Sequence, residues 1–138
     1  MKMFFIAAFA AFGLFASNGS TEGSRGCAAG TIRGTYALAG TGISSQGGQT
    51  LQYALLGRIE FSGSGAVSGT QSINIAGQVL RGPITGSYQV RGDCSGTLTL
   101  LVPGGSTTFD LLILKGDNEI LLIETVPGEI AAGSLKKM

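Results

Sequence analysis

The sequence predicts an all-β chain folded as one eight-stranded antiparallel up-and-down barrel behind an N-terminal signal peptide. Three observations point there. Short stretches of alternating apolar and polar residues recur along residues 33–138, separated by Gly-rich or polar turns. Beyond the apolar N-terminus no stretch keeps a helical period, and 24 glycines disfavour helix throughout. Eight strands joined by tight turns make a meander. Left open, it exposes two unpaired edges and an apolar face; closure into a barrel removes both. A β-sandwich is the alternative architecture.

A length of 138 residues suits one domain. Met1-Lys2-Met3 is a short positive start, Phe4–Ala16 an unbroken apolar run, and Ser17-Asn18-Gly19-Ser20 small and polar. These are the three regions of a secretory signal peptide, assigned to residues 1–19, with cleavage after Ala16 or after Gly19. The apolar run is shorter than the about 20 residues that cross a bilayer, so no membrane span is expected in the mature chain. Export places the protein outside the cell or in the periplasm. Residues 20–32 form a polar lead-in carrying Cys27. In an oxidising compartment Cys27 and Cys94 are most simply a disulfide. Buried thiols and a metal site are the alternatives, but without any His the two cysteines cannot complete a zinc site.

The strands follow in order over the barrel domain, residues 33–138. The first is Arg33–Leu38, with Tyr36 and Leu38 on one face. Gly40–Thr50 is the longest polar run, read as a loop: either a lid over one barrel end or an ordinary hairpin connection. It lacks the Lys and the following helix of a phosphate-binding loop. The second strand, Leu51–Phe61, turns Leu55, Gly57, Ile59 and Phe61 to one side and Arg58 and Glu60 to the other. In the third, Ala66–Ile75, Val67, Ile73 and Ile75 alternate with Ser68, Thr70, Ser72 and Asn74. The fourth, Gln78–Val90, is interrupted at Gly82-Pro83 and directs Tyr88 and Val90 inward. Arg91-Gly92-Asp93 spells an integrin-binding tripeptide, but Gly and Asp beside Cys94 are what a hairpin turn requires.

The fifth strand, Ser95–Leu101, points Leu98 and Leu100 inward, and Pro103-Gly104-Gly105 turns into the sixth, Thr107–Leu114. Phe109, Leu111 and Ile113 facing in leaves Leu112 and Leu114 facing out. The seventh, Glu119–Thr125, is apolar on both sides from Ile120 to Ile123, and the eighth is Glu129–Lys136. The outward set Leu112, Leu114, Leu121 and Ile123 is either covered by the lead-in or a loop, or is a homo-oligomer interface, because monomers rarely expose such patches. Gly34-Thr35-Tyr36 and Gly86-Ser87-Tyr88 echo each other and suggest two similar halves.

Composition limits the chemistry. The net charge of +1 falls to zero once Lys2 is removed, which leaves no electrostatic basis for binding nucleic acid. With no His, Ser–His–Asp triads, Cys–His dyads and His-ligated metals are excluded. No cofactor and no catalytic residue is expected. Carboxylates remain available as acid or base. Of Glu60, Asp110 and Glu124, alternation turns two outward; Asp93, Asp117 and Glu129 read as turn residues. Asn18-Gly19-Ser20 is a glycosylation sequon at the cleavage site. The chain has no Trp, and outside the signal region the large aromatics able to line a cavity are Tyr36, Tyr53, Phe61, Tyr88 and Phe109. They are the candidate ligand-facing residues, with core filling as their other role. An eight-stranded barrel holds side chains alone or one small ligand. The expected function is therefore an exported, non-enzymatic barrel binding a small apolar molecule. A structural or self-associating envelope protein and a small cyclase- or isomerase-type barrel enzyme are the alternatives.

A likeness rests on Gly34-Thr35-Tyr36, on Gly57-Arg58-Ile59-Glu60-Phe61 with Ser62 to Gly69, on Gly86-Ser87-Tyr88 with Asp93 to Leu98, and on Ile123 to Gly128. The pattern resembles a group of exported bacterial β-proteins of uncharacterised function and, more distantly, lipocalin and calycin barrels. Tyr36 stands where lipocalins carry Trp in their first strand. The resemblance implies a barrel with ligand-binding capacity, and no substrate or catalytic residue.

Overall fold

The computed structural model describes residues 26–102 and 105–138. Eight antiparallel strands close into a barrel in sequence order. They are β1 (Gly34–Gln46), β2 (Gln49–Phe61), β3 (Ala66–Ile75), β4 (Gln78–Val90), β5 (Ser95–Val102), β6 (Gly105–Ile113), β7 (Glu119–Glu124) and β8 (Glu129–Lys137). β8 pairs back onto β1 from Tyr36↔Lys137 to Ser44↔Glu129, so no edge remains. The signal peptide, the Asn18 sequon and the Pro103-Gly104 turn lie outside the described residues. No described helix is long and apolar enough to cross a membrane.

Alternation sorts the faces as the sequence implies. Tyr36, Leu38, Ile59, Phe61, Tyr88, Leu98 and Leu100 are buried inside, while Arg58 and Glu60 are exposed. Antiparallel connection places the turns alternately at two barrel ends. One end is closed. There a short 3-10 turn, Ala29–Thr31, leads into Ile32, which is fully buried. Tyr88 donates its hydroxyl to the carbonyls of Ala29 (2.8 Å) and Ile32 (3.0 Å). The Cys27–Cys94 disulfide, with Cα atoms 5.1 Å apart, ties the same segment to the β4–β5 turn. Phe61 packs edge-on between Tyr36 and Tyr88, with ring centroids 5.3 and 5.0 Å away.

Four expectations are corrected. Gly40–Thr50 is not a loop or lid. β1 continues to Gln46 and β2 starts at Gln49, joined by Gly47-Gly48, both at positive φ as a tight hairpin turn requires. Small polar residues hid the strand because half of them face water. Gly82-Pro83 does not interrupt β4. β5 pairs with β4 only over Thr85–Val90, so Pro83 sits where no β5 partner needs its missing N–H. Glu129 is not a turn residue; it is the first residue of β8. The Tyr36 and Tyr88 echo does not mark two similar halves. β1 leaves the closed end at Tyr36 and β4 arrives there at Tyr88, so the motifs run antiparallel toward one shared aromatic cluster.

The Arg91-Gly92-Asp93 segment is turn structure. Cys94 N–H donates to Arg91 O at 2.9 Å, and Asp93 Oδ1 accepts both the amide (3.0 Å) and the hydroxyl (2.6 Å) of Ser95. Those bonds hold the Asp93 carboxyl below its ordinary range.

Candidate functional site

The opposite barrel end is open and leads into a cavity of about 240 Å³. Most of its wall is apolar, including Leu38, Leu55, Ile73, Leu100 and Phe109. Polar side chains line it too: Ser44, Tyr53, Gln71, Thr107, Glu124 and Glu129, with the exposed Ser106 at the rim. The first six reach the interior by strand parity. Ser44 shares a face with Tyr36 and Leu38, Tyr53 with Leu55 and Ile59, and Glu124 with Ile120 and Leu122.

Five of these groups, Ser44, Tyr53, Thr107, Glu124 and Glu129, form one hydrogen-bonded wall. Tyr53 donates its hydroxyl to Glu124 Oε1 at 2.6 Å, and Thr107 donates its hydroxyl to Glu124 Oε2. Ser44, only 5% exposed, donates to Glu129 Oε2 at 3.0 Å and is its cross-strand partner. Tyr53 belongs to β2 and Glu124 to β7, on opposite sides of β1 and β8. Gly42 lets the ring cross: a Cβ there would lie 2.7 Å from Tyr53 Cζ and 2.6 Å from Ala131 Cβ.

The electrostatics follow from partial burial. The Glu129 carboxyl is raised above its ordinary value first by burial, and further by the charge of Glu124 and a hydrogen bond with it; the Ser44 bond acts the other way. Burial, then the bond to Glu124, pushes the Tyr53 hydroxyl well up, so it stays a donor. No Lys or Arg lines the cavity among the described residues. Arg33, Arg91, Lys115 and Lys137 belong to the closed end, where Lys137 Nζ stands 5.9 Å over the Tyr36 ring. No cluster of three metal-ligating side chains occurs among the described residues. A wider depression of about 730 Å³ over Thr41, Ile43, Ala54 and Ile130 lies on the outer surface and has no charged lining residue.

The five aromatic candidates divide between the two ends. Tyr53 and Phe109 line the cavity. Tyr36, Phe61 and Tyr88 do not; they pack the closed end. Of the carboxylates, Glu60 and Asp110 face out and Glu124 faces in. Sequence reasoning did not select Ser44, Gln71, Thr107, Glu124 or Glu129 as site residues. Parity carried the signal for each, once the true extent of β1 is known and Glu129 is read with the strand it opens. On the outer surface Leu112, Leu121 and Ile123 are 48%, 41% and 55% exposed, Leu114 is half-buried, and the described lead-in runs to the closed end without covering them.

No family model matches the chain, and no curated protein matches it significantly. Solved structures do resemble it. The redesigned β-barrel mFAP1, bound to DFHBI, superposes with a TM-score of 0.55 at 14% identity, over 79% of this chain and 97% of that one. A de novo designed fluorescence-activating β-barrel gives 0.52 at 12% identity over 80% and 96%. The redesigned barrel mFAP0, also bound to DFHBI, gives 0.51 at 15% over 78% and 99%. At these identities the likeness is one of fold: a closed β-barrel.

Proposed function

We propose that the protein is an exported, non-enzymatic barrel that binds one small, mostly apolar molecule in its open end. The carrying observation is the single-mouthed cavity of about 240 Å³, closed at its far end by Ile32 and the aromatic cluster. A cavity of about 150 Å³ already accepts benzene, so the space suits a compact ligand. Apolar walls with a few convergent polar groups are the usual composition of such sites. The DFHBI-bound designed barrels support the reading through their shared fold. The disulfide is compatible with an extracellular or periplasmic setting, and the likeness to exported bacterial barrels belongs to the same proposal. The test is native mass spectrometry of protein purified from its own host, beside an Ile75→Trp variant that fills the mouth. A co-purifying small molecule present in the wild type and lost from a folded Ile75→Trp supports the reading. An empty wild type that also binds no member of a hydrophobic probe set refutes it.

One observation favours a second reading, a carboxylate-based barrel enzyme: Glu124 and Glu129 converge inside the cavity with Tyr53 as a neighbouring donor. Chemical alteration of the recovered ligand on incubation with fresh protein, abolished in Glu124→Gln, would select it over simple binding.

A further inference from the structure

The ligand-binding reading says that the cavity is occupied; the polar wall says by what chemistry. Three of its hydroxyl donors are already committed. Tyr53 and Thr107 both donate to Glu124, and Ser44 donates to Glu129. The Tyr53 and Thr107 hydroxyls keep acceptor lone pairs, and each carboxylate has acceptor sites beyond those engaged. The wall therefore offers mainly acceptors and negative charge to whatever enters, with the Gln71 amide and the Ser106 hydroxyl at the rim as further donor groups. Among the described residues no Lys or Arg lines the cavity to neutralise the pair. Burial makes the uncompensated charge costly, which is why Glu129 holds its proton more tightly than usual. An anionic ligand would meet repulsion and almost no donors. A neutral apolar ligand would leave the carboxylates facing hydrocarbon. A protonated amine has three donors and a positive charge, and it satisfies what the wall lacks.

Resting on the ligand-binding reading, we propose that the cavity selects small hydrophobic amines, with the ammonium group held by Glu124 and Glu129 beside Tyr53 Oη and the apolar body against Leu38, Leu55 and Leu100. The two halves of this ligand match the two walls. The apolar wall gives affinity in proportion to area buried, and the charge-assisted bonds give selectivity among ligands of one shape.

The test is calorimetric titration of the oxidised full chain with three probes of nearly one shape: 2-phenylethylamine, 2-phenylethanol and phenylacetate. The expected result is at least tenfold tighter binding of the amine than of the alcohol, and no binding of phenylacetate. Glu124→Gln should cut the amine-to-alcohol affinity ratio to about threefold or less; Glu129→Gln provides the same ratio should the first variant fold poorly. Equal binding of amine and alcohol by the wild type overturns amine selectivity and leaves the cavity reading standing. So does an amine preference that survives both substitutions. Failure of all three probes overturns the amine inference; the cavity reading falls with it only if the protein from its own host is also empty and the hydrophobic probe set also fails.

Discussion

Tyr88→Phe removes one oxygen from the closed end and nothing else. The ring stays against Phe61, 5.0 Å between centroids. What is lost is the donor shared by Ala29 O (2.8 Å) and Ile32 O (3.0 Å). Ala29 O retains the Ile32 amide at 3.3 Å, so the larger loss falls on the Ile32 carbonyl, in a residue with no exposed surface. Stripping a buried acceptor costs about 1–3 kcal/mol, and about 2 kcal/mol is expected here. Urea unfolding followed by circular dichroism measures it, with the midpoint lowered and the denaturant slope unchanged. The disulfide clamps the same segment to the same turn. A double-mutant cycle with Cys27→Ala/Cys94→Ala should therefore show coupling of about 0.5 kcal/mol or more, the Tyr88→Phe cost shrinking once the lead-in is untethered. A cost under about 0.5 kcal/mol in the wild-type background would refute the view that Tyr88 pins a plug. So would an identical cost in both backgrounds.

The remaining predictions concern the staple and the site. Removing the disulfide by Cys27→Ala/Cys94→Ala frees a loop with a sequence separation of 67, and urea unfolding should show a loss of about 4 kcal/mol. Gly42→Ala places a Cβ 2.6 Å from Ile130 O, a backbone atom that cannot step aside, and 2.7 Å from the Tyr53 ring. It should cost about 1–3 kcal/mol and weaken 2-phenylethylamine binding by displacing Tyr53; unaltered binding would show that the ring does not depend on that gap. Glu129, facing Ser44, Glu124 and Tyr53, holds its proton more tightly folded than unfolded, where its ordinary value is 4.5. Native stability from this group is thus fully present below that value and is lost as pH rises through the raised one. Relative to wild type, Glu129→Gln should be more stable near about pH 8 than near about pH 4, read as the shift in urea midpoint between the two.

The fold was legible because it rests on alternation and turn chemistry, both local. β3 and β4 begin and end where their residues predict, and β6 misses by two residues at its start because Gly105 and Ser106 look like turn. β1 was the large miss. Thr41, Gly42 and Ser45 carry no apolar signal, yet Ile43 alternates with Ser44 and the whole run pairs with β2 to Gln46↔Gln49. A strand at the polar rim of a barrel does not need an apolar inner face, so hydrophobic periodicity fades where the cavity starts. The disulfide followed from compartment and count alone. The closed-end plug did not, because nothing local in residues 29–32 announces that Ile32 is buried under Tyr88.

The site was hidden for the reason that makes it a site. Glu124 has the parity of Ile120 and Leu122, and that parity directs a carboxylate into the barrel. Read for stability, such a residue looks misplaced, so a turn or solvated role is the economical assignment. The same preference moved Glu129 into a turn. Barrel closure overrides it: the β8–β1 register sets Glu129 opposite Ser44, inside the rim. Two converging carboxyl groups are an expensive way to fill a barrel that Leu or Val would fill well. Three hydroxyls and a gap at Gly42 are arranged around them. Local rules fail most informatively at functional positions. Here they hold for the inward side chains of the closed end and break together around one cavity, where these carboxyl and hydroxyl groups come from five strands that no folding requirement obliges to be polar.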